Sequence, residues 1–272
     1  ARQRWRTGHL ALLSSLRDCD LLVSPSRFVA KRYADSGLSR EIQVISNGLD
    51  LDETETPHDA RWSPSTRWTL RDDICVGPLH IGFFASAHRS KGLHVLQQAV
   101  AALPAGSVHL HVHGPSEGAD EPYQTFYGPY RSEQLKELMD DLDLVALPST
   151  WDENQPMVAL EARAFGKPLV VSDAGGLPEL VKDGVDGWVL PTGRAEAWAE
   201  RLAILAANRQ DAREAGLRAP PPHNAGTMAA AYLQAYSEAI STETLVPALT
   251  AAHRVDDNGS SCSLSHDKTT AY

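Results

Sequence analysis

Two glutamates, Glu153 and Glu161, are the residues whose type and spacing point most directly to chemistry. An apolar run precedes the pair, and a helical pattern carries the second glutamate. Both carboxylates should therefore lie where a strand passes into a helix, the edge at which open parallel sheets bind ligands. A buried Glu161 carboxylate would need a partner, and a vicinal diol such as ribose would provide one. Spacing alone fits two ordinary helix acids equally well.

A lysine and two glycines lie on neighbouring predicted loops. Lys91 begins a helix, where an ammonium is unfavourable next to the positive end of the dipole unless an anion binds there. Its position suggests a phosphate site, although a solvated surface lysine also fits. Gly175 and Gly176 allow a close backbone approach to a ligand, and Glu179 fits as the acid that complements the dipole of its own helix.

The elements that must position these residues are short apolar runs alternating with amphipathic helices. This alternation predicts an α/β fold with a doubly wound parallel sheet. Polar, unperiodic residues at 51–76 predict a linker between two bodies. Strands are predicted at 20–24, 42–45, 80–84, 108–112, 125–127, 143–147, 169–171 and 188–190.

Composition excludes some classes of partner and indicates a compartment. The 272 residues carry a net charge of -10, which does not favour nucleic acid. Cys19, Cys75 and Cys262 are scattered and form no CxxC pair, as expected of free thiols in the cytoplasm. The chain begins at Ala1 with a basic stretch, so we expect a longer protein to precede it.

Three histidines alternate along one predicted strand and would share a face of the sheet. His109, His111 and His113 could in principle bind a metal ion there. No acidic partners stand at matching spacing, so we expect no metal site.

The order and spacing of several blocks resemble the retaining glycosyltransferase family 4, whose GT-B fold has two facing Rossmann-like domains. The resemblance extends over almost all of residues 21–236. Its implied fold is a complete C-terminal domain and a partial N-terminal one. The blocks are residues 20–28, 44–50, Lys91-Gly92, 143–149, 153–161 and 175–181.

The resemblance implies a donor site and a role for each of its residues. It assigns catalysis to Glu153, which would contact the transferred sugar, and to Lys91, which would bind the donor diphosphate; Glu161 would hold the ribose hydroxyls. Such enzymes transfer a sugar with retention of configuration from a UDP-, GDP- or ADP-sugar, typically without a metal or cofactor. The other implied donor-site residues are Asn154, Gln155, Pro156 and Met157 beside the sugar and phosphate, Tyr127 and Tyr130 beside the base, and Gly175 and Gly176.

The chain departs from the family pattern in one turn. Many members have an arginine between the first strand of this domain and the Lys-Gly pair, but Ser86 stands there. Arg89 is the nearby guanidinium and is expected to substitute for it, with weaker diphosphate binding as the alternative.

The resemblance also implies a domain organisation. Residues 1–50 would be the end of the N-terminal domain, 51–76 the linker and 77–218 the nucleotide-sugar-binding domain. Residues 219–242 would form the helix that crosses back, followed by a disordered tail at 243–272. The acceptor, whether saccharide, lipid or small molecule, would be recognised by the missing domain, through which a peripheral membrane contact is left open.

Two other functions remain open at this stage. The chain fits a truncated or degenerate module that binds a nucleotide sugar without transferring it. It also fits a GT-B epimerase or hydrolase of nucleotide sugars, although the spacing of the glutamates matches that class less well.

Overall fold

A computed structural model of the protein describes residues 11–50 and 77–241, apart from Ser116. The predicted linker at 51–76 and the predicted disordered tail at 243–272 lie outside the described residues. No helix in the described part of the chain is long and apolar enough to span a membrane.

The N-terminal part is a small βαβ unit that follows a helical segment at residues 11–17. Strand β1 (Val23–Ser24) pairs in parallel with β2 (Gln43–Val44), and helix α1 (Arg27–Asp35) connects them. The Ser26 hydroxyl caps α1 by accepting a hydrogen bond from the Val29 amide at 3.3 Å.

A six-stranded sheet with every neighbouring pair parallel forms the larger body. Its spatial order is β5-β4-β3-β6-β7-β8, which becomes the Rossmann order 3-2-1-4-5-6 when the strands are numbered from β3. The prediction of a GT-B type α/β fold with a doubly wound parallel sheet is confirmed. The strands are β3 (Leu79–Phe84), β4 (Val108–His113), β5 (Gln124–Gly128), β6 (Leu144–Leu147), β7 (Leu169–Ser172) and β8 (Gly187–Leu190).

Helices cover both faces of this sheet and bury two hydrophobic cores. One core contains side chains of α2 (Leu93–Ala101) and α5 (Ala195–Ala207), with Trp198 fully buried. The other contains side chains of α3 (Leu135–Asp140) and α4 (Met157–Ala164). The remaining helices are α6 (Arg209–Arg218), α7 (Ala225–Ser241) and the short 3-10 helices Arg89–Lys91, Ser132–Gln134 and Leu177–Leu180.

Helix α7 begins beside the N-terminal part of the chain. The Leu49 amide donates to the His223 carbonyl at 2.9 Å, and the Ala225 amide donates to the Leu49 carbonyl at 2.8 Å. The Gly48 amide also lies 3.2 Å from the Met228 sulfur. The segment after β2 and the start of α7 are thus joined by backbone hydrogen bonds.

Candidate functional site

The candidate site lies at the switch point of the sheet, where the strand order reverses between β3 and β6. Lys91 follows β3 and Glu153 follows β6; the Lys91 Nζ and Glu153 Oε1 atoms are 2.7 Å apart. The Ser149 hydroxyl donates to the same carboxylate oxygen at 2.9 Å. The Glu153 side chain is 16% exposed and that of Lys91 37%, so the pair is partly shielded from water.

Three loops at this edge are tied to one another through backbone contacts. The Thr150 amide donates to the Ser90 carbonyl at 2.8 Å, and the Gly176 amide donates to the Glu153 carbonyl at 2.6 Å. Gly175 has a φ of +63°, and a Cβ atom there would lie 2.1 Å from the Glu153 carbonyl oxygen. Only glycine permits this approach, so Gly175 allows the loop after β7 to lie directly against the backbone of Glu153.

Glu161 points from α4 into a partly buried position. Burial raises the pKa of its carboxyl above the ordinary value. No hydrogen bond or ion pair joins this carboxylate to another side chain within residues 11–50 and 77–241. Tyr130 is close enough that burial, together with the Glu161 charge, raises the pKa of its phenol to about 12. An uncompensated, partly buried carboxylate is suited to accept hydrogen bonds from a ligand.

A stack of aromatic rings lines the neighbouring ends of β3, β4 and β5. The His113 ring lies 4.7 Å from the rings of both Phe84 and Tyr127, nearly parallel to each. Tyr130 meets Phe84 edge-on at 5.4 Å. Burial lowers the pKa of His113 to about 4, so this ring is neutral at physiological pH. Sequence reasoning treated His113 only as one of three alternating histidines and missed its place in the stack.

The side chains of Asn154 and Gln155 form hydrogen bonds with the N-terminal part of the chain. The Ser26 hydroxyl donates a short hydrogen bond to Asn154 Oδ1. The Asn47 amide donates to Gln155 Oε1 at 2.6 Å. The adjoining Pro156 lines a narrow cavity of about 40 Å³ together with Lys91 and Glu153. Met157, which begins α4, is 42% exposed.

Glu179 binds the N-terminus of α1 across the boundary between the two parts. Its carboxylate accepts hydrogen bonds from the Arg27 amide at 3.0 Å and from the Phe28 amide at 2.5 Å. The interpretation that it complements the dipole of its own helix is incomplete, because that helix is a single 3-10 turn. No local signal could reveal this contact, since the two elements lie about 150 residues apart in sequence.

Arg89 and Lys91 lie at opposite ends of one 3-10 turn and line different cavities. Lys91 lines the narrow cavity with Glu153, whereas Arg89 lines a separate one of about 460 Å³. Ser86, in the turn after β3, is partly buried. Neither Lys91 nor Glu153 lines the larger cavity.

Two of the alternating histidines form hydrogen bonds, one with His80 and one with a nearby hydroxyl. His80 Nδ1 and His111 Nε2 lie 2.8 Å apart, and His109 Nε2 lies 3.0 Å from the Thr125 hydroxyl. The described residues contain no group of three or more His, Cys, Asp or Glu that could hold a metal ion.

In comparison with known proteins, the six-stranded body is similar to one family model. Residues 78–208 match the glycosyl transferases group 1. The matched segment begins just before β3 and ends just after α5, so it contains Lys91, Glu153, Glu161 and Glu179.

Relatives and solved structures agree with this match. The D-inositol 3-phosphate glycosyltransferase of Mycobacteroides abscessus is 34% identical over 60% of this chain and 39% of its own length. The enzyme of that name from Nocardia farcinica is 30% identical over 83% of this chain and 54% of its own. The crystal structure of Anabaena Alr3699/HepE in complex with UDP is 25% identical, with a TM-score of 0.65 over 81% of this chain and 64% of that one. The chain thus spans about half the length of the two inositol phosphate glycosyltransferases.

Proposed function

We propose that this chain is the donor-binding half of a glycosyltransferase that transfers a sugar, with retention of configuration, from a nucleotide diphosphate sugar to an acceptor. The observation that carries the proposal is the Lys91–Glu153 pair at the switch point of a Rossmann-order sheet. The match of residues 78–208 to the glycosyl transferases group 1 supports it.

Each side chain has a distinct task in this proposal. Lys91 leaves Glu153 to bind the diphosphate and offsets the negative charge that develops on the departing nucleotide. The freed Glu153 carboxylate then accepts hydrogen bonds from hydroxyls of the transferred sugar. Glu161 accepts from the ribose diol, and the stack of Tyr127, His113 and Tyr130 contacts the base.

A UDP-sugar is the donor we favour. The Anabaena neighbour was crystallised with UDP. The acceptor is recognised by a further part of the protein, which corresponds to the additional length of the relatives. The reaction takes place in the cytoplasm. The family resemblance supports retention without a metal ion.

Calorimetric titration of the full-length protein with UDP, GDP, ADP and their glucose conjugates tests the site and names the donor together. We expect UDP and UDP-glucose to bind more tightly than the purine nucleotides. If none binds at millimolar concentration to folded protein, the proposal is wrong. Donor binding without sugar transfer to any acceptor tested would favour the binding-module alternative instead.

A further inference from the structure

The cavity that Arg89 lines is large enough to hold a small molecule. It lies between the start of α2, the loop at residues 117–121 and strand β5, and measures about 460 Å³. Ligand sites commonly measure about 300–1,000 Å³. The side chains to which the proposed function gives a task in donor binding, among them Lys91, Glu153 and Glu161, do not line it.

Hydrogen bonds fix the loop that forms one wall of this cavity. Gln124 is only 5% exposed; its side-chain amide donates to the Ala119 carbonyl at 3.1 Å and its oxygen accepts from Gln97 at 3.0 Å. The Phe126 amide donates to the Asp120 carboxylate at 2.8 Å. These hydrogen bonds therefore hold the loop in one conformation.

A glycine allows this loop to lie against an aromatic ring. A Cβ atom on Gly118 would lie 2.3 Å from the tip of the Phe126 ring. Tyr123 and Phe126 both line the cavity. Rings at the wall of a polar cavity provide a flat apolar surface for the C–H groups of a sugar.

The polar groups around the cavity remain available to a ligand. Within the described residues, no hydrogen bond or ion pair engages the side chains of Arg89, Glu117 or Glu121. Burial, then the charge of Arg89, lowers the pKa of His94, so its imidazole is neutral at pH 7. The lining carries two carboxylates and one guanidinium, a balance that disfavours phosphate and other anions. Carboxylates and neutral side chains of this kind accept and donate hydrogen bonds to hydroxyl groups.

We propose that this cavity binds a neutral saccharide and is a second sugar site, separate from the donor cleft. It combines a fixed aromatic wall with unengaged hydrogen-bonding groups in a volume that holds one or two sugar rings. The site does not depend on sugar transfer. It shares the turn Arg89–Lys91 and strand β5 with the donor cleft.

Saturation-transfer difference NMR with maltose and cellobiose on the full-length protein tests the proposal. We expect signal transfer to at least one of these sugars from the wild type. Ala119→Trp fills the cavity while keeping the backbone carbonyl that Gln124 binds, so it should abolish the transfer. Ala203→Trp, at an exposed position on α5, is the matched control and should leave it unchanged.

Two further variants separate this site from the donor cleft. The double substitution Glu117→Ala/Glu121→Ala removes two hydrogen-bond acceptors and should weaken sugar binding about tenfold or more. Lys91→Ala should leave it unchanged. No transfer to either sugar, or transfer that Lys91→Ala abolishes while Ala119→Trp does not, would overturn the proposal. Neither result would decide the proposed function, because nucleotide binding is measured in separate titrations.

Discussion

Lys91 and Glu153 form an ion pair, and this pairing compensates two charges at the edge of the core. Their separation of 2.7 Å and partial burial make the pair a closed contact in a cavity of only about 40 Å³. In the proposed function, a diphosphate would compete for the ammonium, and a sugar hydroxyl would then donate to the carboxylate. A donor bound in this way would replace the Lys91–Glu153 contact.

Glu161 should distinguish a nucleoside from a bare diphosphate. We expect Glu161→Ala to weaken UDP binding about tenfold, because a hydrogen bond to a charged group contributes about 1.5–3 kcal/mol. Pyrophosphate, which lacks ribose, should bind as before. Calorimetry with both ligands checks this, and an equal loss for the two would contradict a ribose contact.

The same residue should lower stability while serving the ligand. Burial raises its folded-state pKa above the unfolded value of about 4.3. The folded state therefore loses stability as pH rises from the unfolded pKa of Glu161 to its folded pKa, because the carboxyl ionises more easily in the unfolded chain. Glu161→Gln should raise Tm at pH 8 and change it little at pH 4. A lower Tm at pH 8 would show that the carboxylate has a stabilising partner.

Among elements, the loops after β3, β6 and β7 act as one unit because glycine lets them touch. Gly175→Ala should introduce both φ strain and a clash with the Glu153 carbonyl. Gly193 offers a matched control, with a φ of +70° and no atom within 4 Å of the added Cβ. Both alanine variants should lose about 1 kcal/mol or more through strain. Only Gly175→Ala should also weaken UDP binding; equal binding by both would show that the contact does not shape the site.

Glu179 joins the loop after β7 to helix α1 as a charged cap supplied from another element. Glu179→Ala should lower the free energy of unfolding by about 1–2 kcal/mol, because two amides of α1 lose their acceptor. Chemical denaturation measures this loss. Glu200→Ala, an exposed acid on α5, is the control. A loss no larger than that of the control would mean that water replaces the cap.

At the scale of the whole molecule, neutral histidines on one sheet face set the response to acid. Burial is the main cause of a lowered pKa in three histidines. It lowers the pKa of His80, and it lowers the pKa of His111 to about 3 and that of His113 to about 4. His80 also faces Asp143, Arg209, His109 and Asp141, and the neighbouring histidines add to the lowering at His111. The unfolded chain takes up protons near pH 6.5, before the folded protein does.

Stability should therefore fall as pH drops from about 6.5 toward 4, where the unfolded histidines are charged and the folded ones are not. Measuring Tm in half-unit steps of pH checks this. His111→Gln should flatten the slope over that window. An unchanged slope would assign the acid response to other groups.

The sequence predicts the alternation of strands and helices because periodicity is local, and it predicts which strand ends carry Lys91, Glu153 and Gly175. It does not predict the cap from Glu179 to α1, the stack around His113 or the separation of Arg89 from Lys91. These depend on the register of strands distant in sequence and on which side of a turn a side chain leaves. Local patterns do not encode that information.

The proposed function depends above all on Lys91 binding a nucleotide diphosphate at the switch point. Calorimetric titration of UDP into full-length wild type, Lys91→Ala and Lys136→Ala tests it most directly; Lys136 is an exposed lysine paired with Asp140 outside the site. We expect Lys91→Ala to lose about tenfold or more in affinity, the loss typical of a charge-assisted hydrogen bond, and Lys136→Ala to match wild type. Equal affinity for UDP in all three proteins would contradict it.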